Sequence, residues 1–110
     1  GVSIEDAVEG LEKFGADIIG SNCGSGIEDM IKTAEEFRKL SKLPLIMQPN
    51  AGIPRIVGNK PSYPETPEFM AKRYKEMISL GVSIIGGCCG TTPEHTKAIR
   101  KLVDSLQNQS

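Results

Sequence analysis

Apolar positions along this chain follow two alternating rhythms. One repeats every three or four residues, the spacing of a single helix face. It links Ile4, Ala7, Val8, Leu11 and Phe14; then Ile27, Met30, Ile31, Ala34, Phe37 and Leu40; then Met70, Tyr74, Met77 and Ile78; and last Ala98, Ile99, Leu102, Val103 and Leu106. The other is a short apolar run without alternation, at residues 17–20, 43–48 and 82–85. Such runs predict strands buried on both faces.

Local punctuation sets the ends. Ser3 caps a first helix over residues 4–14, which Gly15 stops. Ser25 and Glu28 have capping-box spacing for a second helix at 26–41. Thr66-Pro67 opens a third, ended by Gly81, and Thr92-Pro93-Glu94 opens a fourth over 93–107. Pro44 belongs at the start of its strand, where no ladder donor is needed. Residues 53–65 carry Pro54, Pro61, Pro64, Gly58 and Asn59 and predict a long irregular loop of functional kind. The tail at 107–110 is expected to fray.

The order is helix, then strand and helix three times over. The class expected is α/β, with parallel strands, covering helices and right-handed crossovers. About three βα units of this kind suit half of a (β/α)8 TIM barrel or a small open sheet. In both, chemistry belongs at the carboxyl ends of the strands.

Composition narrows the picture. At 110 residues the chain is one domain at most. A formal net charge of −1, without long runs of one sign, gives no basis for a nucleic-acid or membrane partner. No apolar run approaches the roughly 20 residues of a membrane span. No secretory leader is expected, and the opening on Gly1 reads as that of an excised or processed segment. Three cysteines cannot all pair internally, so free thiols in a reducing cytoplasm are expected.

The cysteines carry the chemistry. Gly15-Ala16-Asp17-Ile18-Ile19-Gly20-Ser21-Asn22-Cys23-Gly24 aligns without gaps on Gly81-Val82-Ser83-Ile84-Ile85-Gly86-Gly87-Cys88-Cys89-Gly90. Cys23 falls on Cys89, so all three thiols lie at equivalent strand ends. Three thiolates suit Zn²⁺, with each sulfur about 2.3 Å from the metal and the sulfurs roughly 4 Å from one another. Asn50, ending the strand between them, offers an exchangeable oxygen as fourth ligand. Three firm ligands and one open position describe a catalytic zinc, which would turn a substrate thiol into a thiolate ready for a methyl electrophile.

Other uses of these residues stay open. Buried cysteine can be a small hydrophobe. Cys88 and Cys89 can form a vicinal redox pair, though this leaves Cys23 unexplained. Gly86-Gly87 ahead of a helix can cradle a phosphate, though this leaves the thiols idle. His95, the single histidine, reads as a packed or capping residue. Asn22 reads first as a turn residue tolerating left-handed φ, and second as a polar group at the site.

Three motifs, Gly86-Gly87-Cys88-Cys89-Gly90-Thr91-Thr92-Pro93-Glu94-His95, Asn22-Cys23-Gly24 and Pro49-Asn50-Ala51-Gly52-Ile53-Pro54, resemble the homocysteine S-methyltransferase family. The likeness covers nearly the whole chain and is strongest to the homocysteine-binding domain of cobalamin-dependent enzymes. It implies a (β/α)8 barrel of which residues 1–110 form the C-terminal part, with strands six to eight present. It implies zinc on Cys23, Cys88 and Cys89, with Asn50 close to the metal; Asn50 and Asn22 are the candidates for substrate binding or the fourth ligand position. It implies homocysteine as methyl acceptor and an external methyl donor bound elsewhere; methylcobalamin, S-methylmethionine and betaine-type donors stay open, with the Thr91-Thr92-Pro93-Glu94-His95 wording favouring methylcobalamin.

The departures are Gly26-Ile27 where many members have Gly-Pro, and the absence of the first five strands with their homocysteine-holding acidic residues. The cobalamin module's Asp-x-His-x-x-Gly signature is also absent. The remaining barrel half and a cobalamin-bearing module are therefore implied partners. With two open sheet edges, the chain by itself is expected to form homo-oligomers or to be marginally stable. It would then be a non-catalytic zinc-binding or assembling piece.

Overall fold

A computed structural model describes residues 1–108, so the expectation for the last two residues of the tail lies outside the described residues. The helical rhythm becomes α1 (Ile4–Lys13), α2 (Ile27–Leu40), α3 (Pro67–Ser79) and α4 (Pro93–Gln107). The apolar runs become β1 (Ile19–Cys23), β2 (Leu45–Pro49) and β5 (Ile84–Ile85), paired in parallel in the order β1-β2-β5. Strand order thus follows chain order, and each helix packs on the next: α1 on α2, α2 on α3, α3 on α4. The principal extents of 46 × 40 × 18 Å give a slab whose thin dimension fits one sheet and one helical layer.

Ile19, Leu45 and Met47 from the sheet meet Ile27, Met30, Ala34, Phe37, Met70, Tyr74 and Met77 from the helices, and all are buried. Each of the buried Leu, Ile, Met and Phe side chains contributes roughly 1.5–3 kcal/mol by leaving water. Arg38 closes the far end. Its guanidinium donates to the carbonyls of Ser41 (2.7 Å), Leu43 (3.0 Å) and Gly81 (3.2 Å), joining the end of α2 to the turn before β5.

Several details differ from the sequence reading. β1 starts later than residue 17 and runs through Cys23, because its register with β2 extends from Ile19↔Leu45 to Cys23↔Pro49. The Ser25–Glu28 capping box does not form. The Ser25 hydroxyl bonds Asp29, and α2 starts at Ile27 behind Gly26, which has no capping side chain. The loop at 53–65 contains a small antiparallel hairpin, β3 (Arg55–Val57) and β4 (Lys60–Ser62). Gly58 and Asn59 at its tip both take positive φ, 54° and 63°, as a tight hairpin turn requires. β2 alternates buried and half-buried positions, in contrast to a strand covered on both faces. Phe14 at 90 % and Leu11 at 42 % exposure lie on the apolar stripe predicted for α1 and are left uncovered by the described residues.

The register explains that alternation. Gly20, Ile46 and Ile84 are cross-strand partners and share the face turned away from the helices. Ile46 is half-buried and Ile84 is 40 % exposed. No helix of the described residues is long and apolar enough to cross a membrane.

α1 also contains an isolated glycine, Gly10, and among the described residues nothing beyond its own helix backbone lies within 4 Å of where a Cβ would stand. Gly10→Ala is therefore expected to stabilise the chain by about 0.5–1 kcal/mol, through backbone entropy alone. A urea midpoint that falls instead of rising would contradict this.

Candidate metal centre

Three strand ends meet at one edge of the slab, and the backbone between them is stitched by hydrogen bonds. Asn50 N–H donates to the Cys23 carbonyl (3.1 Å), Cys88 N–H to Pro49 (2.9 Å) and Ala51 N–H to Cys89 (2.9 Å). The end of β2 thus serves as a seam between the loop after β1 and the loop after β5. The side chain of Asn50 adds two more ties. Its Oδ1 accepts from Cys89 N–H at 3.0 Å, and its Nδ2 donates to the Gly24 carbonyl at 2.9 Å. A backbone donor on one side and a carbonyl on the other fix which end of the amide is which. Expected as an exchangeable fourth ligand, Asn50 is here a clamp across both thiol loops.

The seam brings the sulfurs together. Cys23 Sγ lies 3.0 Å from Cys88 Sγ, and the Sγ atoms of Cys23, Cys88 and Cys89 all lie within 4.8 Å of one another. Their spread compares with the roughly 4 Å expected for sulfurs sharing one zinc. All three are free thiols, Cys23 and Cys88 half-buried and Cys89 exposed. A set of three free thiols from two loops, after β1 and after β5, is donor chemistry suited to a soft or borderline divalent ion.

Asn22 is drawn into the site. Its Nδ2 lies 3.3 Å from Cys23 Sγ and 3.9 Å from Cys88 Sγ. The left-handed position is that of Cys23 itself, with φ 65°, so the turn role expected of Asn22 belongs to its neighbour. That conformation turns Cys23 out of the strand's alternation and beside Cys88.

The donors arrange the protons. The Cys88 thiol is held below its ordinary value, first by Cys23 S–H, then by Cys89 N–H and the Asn22 amide, against an opposing effect of desolvation. Cys23 is correspondingly pushed up to about 11, first by its bond to Cys88, then by desolvation and the nearby sulfur charge. Of Cys23 and Cys88, the shared S–H···S contact favours the thiolate on Cys88 and the proton on Cys23.

Further supports surround the pair. Thr91 brings both its hydroxyl (2.7 Å) and its N–H (3.2 Å) to the Cys88 carbonyl. Tyr74, fully buried, donates its hydroxyl to the Gly86 carbonyl just before the thiols. Burial and then the Glu65 charge hold its phenol strongly protonated, which keeps it a donor. This support was not read from the sequence, where Tyr74 stood only as one apolar stripe position.

His95 is buried and forms the capping box of α4. Its Nδ1 accepts from Thr92 N–H at 3.1 Å, while Thr92 accepts from His95 N–H. The histidine is thereby committed to structure, as the sequence suggested. The same bonds occupy donors that a phosphate at this helix end would need. The closeness of Cys23 to Cys88 also runs against a redox pair confined to Cys88 and Cys89.

Residues 1–103 match the family model described as homocysteine S-methyltransferase. The chain is 35 % identical over 104 residues to a methionine synthase of Mycobacterium leprae (strain TN), covering 94 % of this chain and 9 % of that protein. It is 32 % identical over 108 residues to a methionine synthase of Mycobacterium tuberculosis (strain ATCC 25618 / H37Rv), covering 97 % of this chain and 9 % of that one. The chain thus spans about a tenth of the length of these curated relatives. Among solved structures it is similar to the homocysteine methyltransferase MmuM from Escherichia coli. The metallated form matches with a TM-score of 0.70 at 25 % identity, over 92 % of this chain and 30 % of that one. The apo form matches at 0.71 and 25 %, over 93 % and 33 %.

Proposed function

The chain belongs to the homocysteine S-methyltransferase family, and we propose that it forms the metal-holding part of a methionine-synthase-type enzyme. The reaction is methyl transfer from an external donor, methylcobalamin, to the sulfur of homocysteine, giving methionine. The observation that carries this reading is the convergence of Cys23, from the end of β1, with the adjacent Cys88 and Cys89, from the loop after β5, their sulfurs all within 4.8 Å of one another. We assign all three as zinc ligands. Zinc held there would supply the Lewis acidity that lets a thiol substrate lose its proton near neutral pH.

The chain's other residues support that task. Three thiolates carry more negative charge than one divalent ion cancels. The Asn22 amide takes part of that excess by donating toward Cys23 and Cys88. Asn50 keeps the two thiol loops in register. Gln48, the cross-strand partner of Asn22, lines the same face of the sheet and faces Gly86, where a Cβ would come within 3.4 Å of its amide. These polar groups lie on the sheet face away from the helices, where we place the homocysteine.

Residues 1–110 are read as the C-terminal part of a (β/α)8 barrel, a partial homocysteine-binding domain. Sequential parallel strands under a single row of helices support this, because a barrel wall has that winding and a doubly wound sheet does not. The exposed stripe of α1, the uncovered Ile84 and the apolar groove of Ile78, Val82, Ile85, Val103 and Leu106 at the β5 edge would be covered by the remaining barrel half. A cobalamin-bearing module is the further partner, and a reducing cytoplasm the setting. The open edges also favour a second reading for the isolated chain, as a non-catalytic zinc-binding piece that assembles with itself.

The test is zinc content and methyl transfer from methylcobalamin to homocysteine, measured on this chain and on the full-length protein. Zinc in both with turnover only in the full-length protein fits the proposal. A full-length protein lacking zinc and turnover contradicts it. Asn50→Ala is expected to weaken zinc by about 10- to 100-fold, as loss of a supporting group does. That is less than the loss of a cysteine, and competition with a chelator of known affinity checks it.

A further inference from the structure

Residues Tyr63-Pro64-Glu65, which close the long loop, cross all three segments that follow the site's strand ends. Glu65 is bonded to each. Its Oε1 accepts from Ile27 N–H at 3.0 Å, closing the amino end of α2, which Gly26 cannot cap. Its N–H donates to the Ala51 carbonyl at 3.0 Å, one residue past Asn50. Its carbonyl lies 2.8 Å from Nε2 of His95 at the start of α4. Because Nδ1 of His95 accepts from Thr92 N–H, the ring proton resides on Nε2 and is donated to Glu65.

The same three segments are bare where the strap lies on them. A Cβ on Gly26 would stand 2.4 Å from Glu65 Oε2. One on Gly52 would meet Pro64 Cγ at 2.9 Å, and one on Gly90 would meet the Tyr63 ring at 2.1 Å. Gly26 lies just beyond Cys23, Gly52 just beyond Asn50, and Gly90 directly after Cys89. The strap is therefore seated on backbone in every loop that carries or clamps a thiol.

We propose that residues 63–65 are a positioning strap, with Glu65 its central residue, that holds the three sulfurs in reach of one another before any ion or substrate arrives. The proposal deepens the metal reading and rests on it for its purpose, though not for its geometry. Glu65 touches no sulfur and acts through the loops. A carboxylate is suited to the role because it bonds the helix's N–H more strongly than a neutral oxygen and complements the positive end of α2.

The experiment compares full-length protein with Glu65→Ala, Glu65→Gln and Val8→Ala. Val8 is buried in α1, remote from the strap, and reports general loosening. One readout needs no metal. Diamide takes two electrons and two protons from the Cys23 and Cys88 thiols, forming their disulfide while its N=N bond is reduced to the hydrazine, and peptide mass spectrometry follows the linkage. The second is Co²⁺ titration, read by thiolate-to-cobalt absorption.

Glu65→Ala is expected to slow the Cys23–Cys88 linkage about tenfold and to weaken Co²⁺ by about 10- to 100-fold. Glu65→Gln, which keeps the acceptor oxygen, should regain most of both, and Val8→Ala should change neither. If Glu65→Ala does not fold, Tyr63→Ala should give the same slowing to a smaller degree. Linkage rates unchanged in the Glu65 and Tyr63 variants overturn the strap, as does an equal slowing in Val8→Ala. If the unsubstituted protein gives no cobalt–thiolate absorption while Glu65→Ala still slows the linkage, the metal reading fails and the strap stands.

Discussion

Cys23→Ala is expected to strip zinc from the full-length protein, and with it methyl transfer. The sulfur that is lost stands 3.0 Å from Cys88 Sγ in a cluster of three, and alanine offers no replacement donor. Structural zinc in four-ligand peptides binds with about 10–16 kcal/mol, so one ligand of that set is worth roughly 3 kcal/mol, more than a hundredfold in affinity. The fold should survive, because Cys23 is only half-buried and the backbone bond from Asn50 N–H to its carbonyl remains. Loss of zinc without loss of helix content is therefore the expected outcome, measured by elemental analysis and circular dichroism on the same sample. Cys88→Ala should do the same. Full zinc retained in Cys23→Ala would dissolve the shared site and return the vicinal pair, Cys88 and Cys89, to first place.

This expectation could be formed from the sequence because a repeat carries it. Residues 15–24 and 81–90 share the glycines and isoleucines that make a strand and its exit, and the cysteines follow in the same place. Parallel strands joined by helices then bring those exits to one edge. The four helices were legible for the same reason: apolar residues at helical spacing between a cap and a glycine leave few alternatives. Spacing identifies a face but does not say whether anything covers it. Leu11, Phe14 and Leu40 keep the period of a core stripe and are exposed.

The details that escaped depend on distant parts of the chain. Ser25 and Glu28 form a plausible local cap, yet the group that closes α2 is Glu65, brought there by the return of the long loop. Asn50 has the right chemistry for a ligand, but its amide is shared between two backbone groups that only the folded chain sets on either side of it. Asn22 is the residue type that tolerates left-handed φ, while the chain places Cys23 in that conformation. The hairpin tip at Gly58-Asn59 did carry a local signal, since two residues that accept positive φ between short segments are hairpin chemistry. The surrounding prolines obscured it, although Pro61 sits acceptably in a two-stranded ribbon.

Gly20→Ala is expected to be the most destabilising small substitution in the chain. A Cβ at this position would stand 1.7 Å from the carbonyl oxygen of Ile46, with the Ile46 carbonyl carbon at 2.7 Å and Cγ2 at 2.8 Å. The oxygen is backbone in the middle of β2, whose partners on both sides hold it: β1 from Ile19 to Cys23 and β5 at Ile84 and Ile85. It cannot swing aside as a side-chain end would, so the strands must separate by more than 1 Å at their centre. That breaks the parallel pairing on which Ile19 is buried and Cys23 is delivered to the cluster. A loss of about 4 kcal/mol or more follows, the range in which backbone displacement is the cause. Zinc should weaken in parallel, because the register that carries Cys23 opposite Pro49 is the one being broken. Gly10→Ala in the same background is the contrasting control, since the same methyl group there meets nothing. An unfolding free energy for Gly20→Ala, from urea denaturation, within about 1 kcal/mol of the unsubstituted protein would mean that β1 and β2 are not as close as described.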